Sequence, residues 1–128
     1  MAVVAMLAPM GCSLGGDDEP KPVTGVPREI AVTVDRLGRA IADRDFATVC
    51  DSLFTASARK RAGGAECAAQ LRSAAEDVRR PTIEIRGIDL NGSRASVKVA
   101  TKAKGQARVT DTLELRRQGG RWLIEALS

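Results

Sequence analysis

Residues 82–102 read TIEIRGIDLNGSRASVKVATK, and over this stretch the apolar period becomes two. Ile83 and Ile85 alternate with Glu84 and Arg86; Gly87 interrupts, and Ile88 and Leu90 resume one position out of phase. A glycine at a phase slip predicts a β-bulge that bends the strand. Asn91-Gly92 is the strongest short hairpin signal in the chain. The second strand then places Ala95, Val97, Val99 and Thr101 on one face, with Arg94, Ser96, Lys98, Ala100 and Lys102 on the other. A turn near Lys104-Gly105 leads to a third strand with Ala107, Val109, Leu113 and Leu115 inward. Gln118-Gly119-Gly120 turns the chain again, and Arg121–Leu127 is the last strand.

Upstream the period is helical. Ile30, Val34, Leu37 and Ile41 form one stripe, and Pro27 suits the first turn. Asp43 or Asp45 caps a second helix in which Phe46, Val49, Cys50 and Leu53 share a face. Thr55 caps a short turn ending at Gly63-Gly64. A third helix aligns Cys67, Leu71, Ala74, Ala75 and Val78 and is stopped by Pro81. Helices followed by a meander give an α+β class, with N-terminal helices packed on a bent four-stranded antiparallel sheet.

Helices, a bent first strand, a meander and the closing Gly119-Gly120-Arg121-Trp122-Leu123-Ile124 hairpin resemble the nuclear transport factor 2-like fold over residues 28–128. Small actinobacterial lipoproteins of this kind carry a helical cysteine pair placed like Cys50 and Cys67. The resemblance implies a bent sheet wrapped around the helices as a cone that can hold a small-molecule pocket. The same cone hosts isomerases, dehydratases and plain binding modules, so fold does not supply function.

The N-terminus reads as an address. Residues 2–10 are apolar and are followed by Gly11-Cys12-Ser13. The run is too short to span a bilayer but fits a signal-peptide core. A small residue before a cysteine resembles a bacterial lipoprotein signal, which implies lipidation of Cys12 and a protein exported to the outer face of the cell membrane. No basic residue precedes the run, and Pro9 stands where that family has leucine; without lipidation at Cys12 the protein is secreted. Residues 1–12 are thus the signal segment. Residues 13–27, rich in Gly and Pro with almost no large apolar side chain, are a tether, and 28–128 the domain.

The chain has 128 residues and a net charge of +4. Asp17, Asp18 and Glu19 lie early and only Lys21 among the basic residues precedes Arg28, so the domain carries +6. Phe46, Phe54 and Trp122 are its only aromatics, so the core must be aliphatic. There is no histidine and no tyrosine. Isomerases and dehydratases of the resembled fold use those residues, and Ser52, Ser57 and Ser73 have no His base, so triad-type acyl transfer is unsupported. No metal-ligand spacing appears, and no cofactor is implied.

Cys50 and Cys67 each lie on the apolar stripe of a helix, with a Gly-Gly turn between them, and should pair in an oxidising compartment. Asp111 falls on the face of Val109 and Leu113, where a carboxylate is costly unless hydrogen-bonded or near the cone's mouth. It is read either as a general base or as a structural hydrogen-bonding group. Asp111 and Trp122 are the candidate pocket residues. Arg94, Lys98, Lys102, Arg108 and Arg116 form a candidate field for anionic lipid or polymer, with a solvated outer face as the plain alternative. Without interleaved aromatics that field does not suit nucleic acid. The expectation is a non-enzymatic, lipid-anchored module for a small ligand or envelope protein. Its rivals are a cone-pocket enzyme using Asp111 and a structural envelope protein.

Overall fold

Pro27 has no amide proton to lose at a helix start, and helix α1 (Val26–Ala42) begins around it, just inside the stretch expected as tether. The computed structural model describes residues 25–128. The predicted stripe faces inward: Ile30, Val34 and Leu37 are buried and Ile41 is half-buried. Thr33 is buried beside them, and its hydroxyl donates to the Trp122 carbonyl at 3.0 Å, tying the helix to the last strand.

Asp45 caps the next helix by accepting the Thr48 amide at 3.2 Å. This helix, α2 (Phe46–Thr48), widens directly into a π-helical turn over Val49–Leu53. Phe46, Val49, Cys50 and Leu53 are all buried, as their shared face predicts. Helix α3 (Ala56–Arg61) is capped by Thr55, whose hydroxyl accepts the Ala58 amide at 3.0 Å. A 3-10 turn (Gly64–Glu66) then leads into α4 (Cys67–Ala74). Gly63 makes that tight turn with φ 119°, where a Cβ would meet Gln70 Cγ at 3.0 Å.

Helix α4 ends at Ala74, earlier than the expected run to Val78. The Ala75 carbonyl accepts from Arg44 Nη1 at 3.2 Å and from the Val78 amide at 3.0 Å, so the ladder closes there as a turn.

The strands are β1 (Thr82–Asn91), β2 (Arg94–Lys102), β3 (Val109–Gln118) and β4 (Arg121–Leu127), paired antiparallel in chain order. The predicted bulge is present: Ile85 pairs with Val99 and Gly87 with Lys98, leaving Arg86 unpaired. The first hairpin loop is Gly92-Ser93 rather than Asn91-Gly92, because Asn91 pairs with Arg94. Gly92 has φ 63° at the first central position, the place a type II′ turn reserves for glycine. Ala107 lies before β3 and is exposed, and Val109 is half-exposed, so the inward face of β3 begins later than alternation suggests.

A second register shift has no glycine to announce it. Glu114 pairs with Ala126 and Leu115 with Ile124, so Glu125 is the extra residue on β4. At this point the chain after the π-turn joins the sheet edge: Phe54 bridges to Ile124, and the Thr55 amide donates to the Ile124 carbonyl at 2.9 Å. The core between helices and sheet is aliphatic, with Ile30, Leu53, Val97, Val99 and Leu115 almost free of solvent. Each such side chain contributes about 1.5–3 kcal/mol.

The Cys50 and Cys67 sulfurs lie at bonding distance, with their Cα atoms 6.1 Å apart and a sequence separation of 17. Both residues are buried. Intact mass of protein produced in an oxidising compartment should show a two-proton deficit relative to the reduced chain. By loop-closure entropy, replacing both cysteines by Ala should lower unfolding stability by about 3 kcal/mol. Two titratable free thiols in folded protein from that compartment would contradict the pairing.

Candidate functional site

Alanine is a poor space-filler, and the helices use it where they face the end of the sheet. Ala58 and Ala62 of the α3 segment, and Ala74 and Ala75 at the end of α4, look across at Leu113, Ile124 and Leu127. Between them lies a cavity of about 500 Å³. Its other walls are Leu37, Ile41, Phe46, Val49, Phe54 and Leu71, so nearly the whole surface is hydrocarbon. Leu127 is 63% exposed at the rim.

One polar feature interrupts this lining. Glu125 and Arg61 stand together at the edge of the cavity, with Arg61 Nη2 3.0 Å from Glu125 Oε2. The same Nη2 also donates to the Glu125 carbonyl. Thr55 donates to Glu125 Oε1 at 3.0 Å while capping α3 with the same hydroxyl. Burial alone would raise the Glu125 pKa. The hydrogen bonds from Arg61 and Thr55, with the charges of Arg61 and Arg116, outweigh it and hold the carboxyl below its ordinary value. The side chain is therefore an anchored carboxylate near neutral pH.

Strict alternation places Glu125 outside the sheet, opposite Trp122 and Ile124. The bulge at Glu125 redirects it toward the helices. That is why the sequence reading missed it, and Arg61 with it. A visible signal was the alanine content of residues 56–75, too high for helices meant to fill a core.

Neither candidate pocket residue lines this cavity. Asp111 does lie on the face shared with Leu113, paired with Val99, so the strand phase holds. It is half-buried, however, and among the described residues it has neither a hydrogen bond nor an ion pair from its side chain. The reason is that the sheet runs past its helical cover here, as exposed Val109 shows. Trp122 belongs to the core under α1 instead, and its buried Nε1 has no partner among the described residues. It borders a smaller groove formed with Arg28, Glu29, Thr33, Arg36 and Arg121.

The five expected basic residues do not make one field. Arg94 and Arg116 face each other across β2 and β3, whereas Lys98 pairs with Thr112 in mid-strand. Lys102 lies eight residues from Arg94, about 26 Å along the strand. Arg108 lies in the loop before β3, near Lys102. Cys12 lies outside the described residues. Among the described residues there is no cluster of metal-ligating side chains and no helix long and apolar enough to cross a membrane.

No family model matches this chain, and no curated protein matches it in sequence. Solved structures do match in fold. A nuclear transport factor 2-like protein of unknown function from Silicibacter pomeroyi superposes with a TM-score of 0.60 at 18% identity, covering 78% of this chain and 90% of that one. A de novo designed protein of the same fold gives 0.55 at 19% identity, covering 81% and 87%. A protein from Rhodopseudomonas palustris containing a SEC-C motif gives 0.54 at 17% identity, covering 70% of each chain. This chain has the nuclear transport factor 2-like fold.

Glu125→Gln should lower stability by about 1–2 kcal/mol, because charge-assisted hydrogen bonds from Arg61 and Thr55 are weakened. Asp111→Asn, with no partner to lose, should stay within about 0.5 kcal/mol of the parent. The Glu125 pKa is depressed on folding, so its contribution is present above 4.5 and is lost as pH falls through the folded value. Thermal melts from pH 7 to pH 3 should therefore show a shallower acid limb in Glu125→Gln than in the parent. Equal acid limbs would show that the junction does not stabilise the fold.

Proposed function

We propose that this chain is a non-enzymatic, lipid-anchored extracytoplasmic module that holds a small, predominantly apolar ligand in its cone. The observation that carries this reading is the 500 Å³ cavity, hydrocarbon on almost every side with one polar edge at Arg61 and Glu125. Pockets of about 300–1,000 Å³ bury most of a small ligand, and a few fixed polar groups orient it. The Arg61–Glu125 edge would meet the polar end of such a ligand while its apolar part lies against Leu37, Phe54 and Ile124.

The same geometry argues for binding over proton transfer. A general base needs an unengaged oxygen facing the substrate and a pKa near the working pH. Both Glu125 oxygens already accept hydrogen bonds, and its pKa lies below the ordinary value. Export is supported by the apolar run ending in Gly11-Cys12 and by the cysteine pair at bonding distance.

The neutral dye N-phenyl-1-naphthylamine tests the cavity. The full chain should bind it saturably with fluorescence enhancement. Ala75→Phe, which fills the cavity from its wall, should weaken binding at least about tenfold, since excess volume in an occupied site costs about 1–3 kcal/mol. Melting should stay near the parent's. Unchanged affinity in folded Ala75→Phe would refute the pocket. Separately, Cys12→Ala, fractionated in high salt so that electrostatic contacts with lipid are screened, should leave the membrane fraction or persist as an uncleaved precursor. A variant that stays membrane-bound at mature size would show that Cys12 is not the anchor.

A further inference from the structure

The described domain begins at Gly25, and arginines gather at that end of the molecule. Arg28 and Arg36 on α1 border one groove with Arg121 of the β3–β4 hairpin. In the adjacent strands Arg116 faces Arg94, and Arg117 follows it. The Arg117 amide donates to the Ser93 carbonyl at 2.8 Å, which draws the β1–β2 and β3–β4 hairpins to the same end of the sheet. All six side chains are exposed except Arg116, which is half-buried, and none is ion-paired to a described residue. Glu29 borders the groove, and Glu114 nearby accepts from the Ser96 hydroxyl at 2.9 Å. Against six arginines, Glu29, Asp89 and Glu114 leave this end of the described domain positive.

The other end of the molecule is different. Arg44, Arg79, Arg80 and Lys104 are mixed there with Asp43, Asp45, Glu76 and Asp77, so the arginine pole is not simply the domain's net charge seen locally. The cavity belongs to that mixed half: Ile41, one of its walls, lies fifteen residues along α1 from Val26, about 22 Å away.

We propose that the arginine pole is a docking surface for anionic phospholipid headgroups and that it holds the cone with its ligand cavity away from the membrane. The inference rests on the reading that the tether is membrane-bound, because only then is this pole the one pressed toward lipid. Guanidinium groups are suited to the contact: each stays charged and offers a planar fork to phosphate oxygens. A set of six within reach of a negatively charged leaflet gains from each member, whereas Lys102 and Arg108, about 26 Å away along β2, lie beyond three Debye lengths at physiological salt. The expected anionic contacts at Lys98, Lys102 and Arg108 are thereby replaced by Arg28, Arg36, Arg117 and Arg121, with Arg94 and Arg116 retained.

The test uses the full chain carrying Cys12→Ser, so that lipid attachment, whether or not it occurs in the cell, does not contribute. Its sedimentation is compared with vesicles of phosphatidylcholine alone and with vesicles containing phosphatidylglycerol. Adding Arg94→Gln, Arg117→Gln and Arg121→Gln together should reduce partition onto the anionic vesicles about 100-fold. Adding Lys98→Gln, Lys102→Gln and Arg108→Gln together removes the same net charge and should change partition less than about threefold. Binding to the anionic vesicles should also fall with added salt. Equal losses for the two triple variants would mean a non-specific charge effect, and no loss in the arginine variant would mean a solvated pole; either overturns the proposal. Because Cys12 is replaced throughout, these outcomes are independent of whether Cys12 is lipidated.

Discussion

The extra residue on β4 constrains the rest of the structure. With Glu125 left unpaired, its side chain leaves the outer face of the sheet and reaches the helical layer. There it accepts from Thr55 and Arg61, while the Thr55 amide bonds the Ile124 carbonyl one residue away. A single short segment thus caps α3, covers part of an edge strand that would otherwise offer open hydrogen-bonding groups, and sets the polar rim of the cavity. The Thr55 bond to the Glu125 carboxylate is charge-assisted and partly buried, which makes it stronger than exposed surface pairs such as Arg39 with Asp35, and Arg61 adds its bonds from the solvent side. The junction therefore fixes how far α3 stands from the sheet, and with it the width of the space below.

That space exists because the walls are small. In a chain with three aromatic residues, the core near α1 closes with Ile30, Val34, Val97 and Leu115, and Trp122 fills the gap beneath the helix. Farther along α1, Ala58, Ala62, Ala74 and Ala75 stand among Phe46, Phe54 and Leu71, and the volume they leave is not filled. A folded protein close-packs where it can, so an apolar cavity with a mouth and one oriented ion pair is the feature on which the proposed ligand rests. The cysteine pair acts on the same region from behind, linking the π-turn to the start of α4, two of the elements that carry the walls. The cysteine pair and the walls of the cavity thus belong to one helical layer.

Most of the fold was legible because the period of apolar residues changes once, near Pro81, and because glycines mark the turns and the first bulge. Gly87 at a phase slip announced the kink in β1, and Asp45 and Thr55 announced their helix starts. The site was less legible. The bulge at Glu125 has no glycine, and alternation alone sends that side chain to the wrong face. Asp111 drew notice for the opposite reason: its phase was right, but alternation cannot tell a buried inner face from one that outruns its helices. The basic residues could be assigned to a face by parity. Their distance along the strand, and the company of Arg117 and Arg121 at one pole, depended on hairpin register. At the end of α4 the Ala75 carbonyl accepts from Arg44, a long-range contact that no local signal carries.

The central claim is that the cone encloses accessible apolar space bounded by the Glu125 junction. Xenon is small, uncharged and drawn to such space, so a titration of the isotope-labelled protein with dissolved xenon, followed through methyl resonances, tests it most directly. The account predicts saturable shifts at Leu37, Ile41, Leu71 and Ile124, with Val97 and Leu115 in the close-packed half unmoved. Shifts spread evenly over both halves, or none at all, would contradict it.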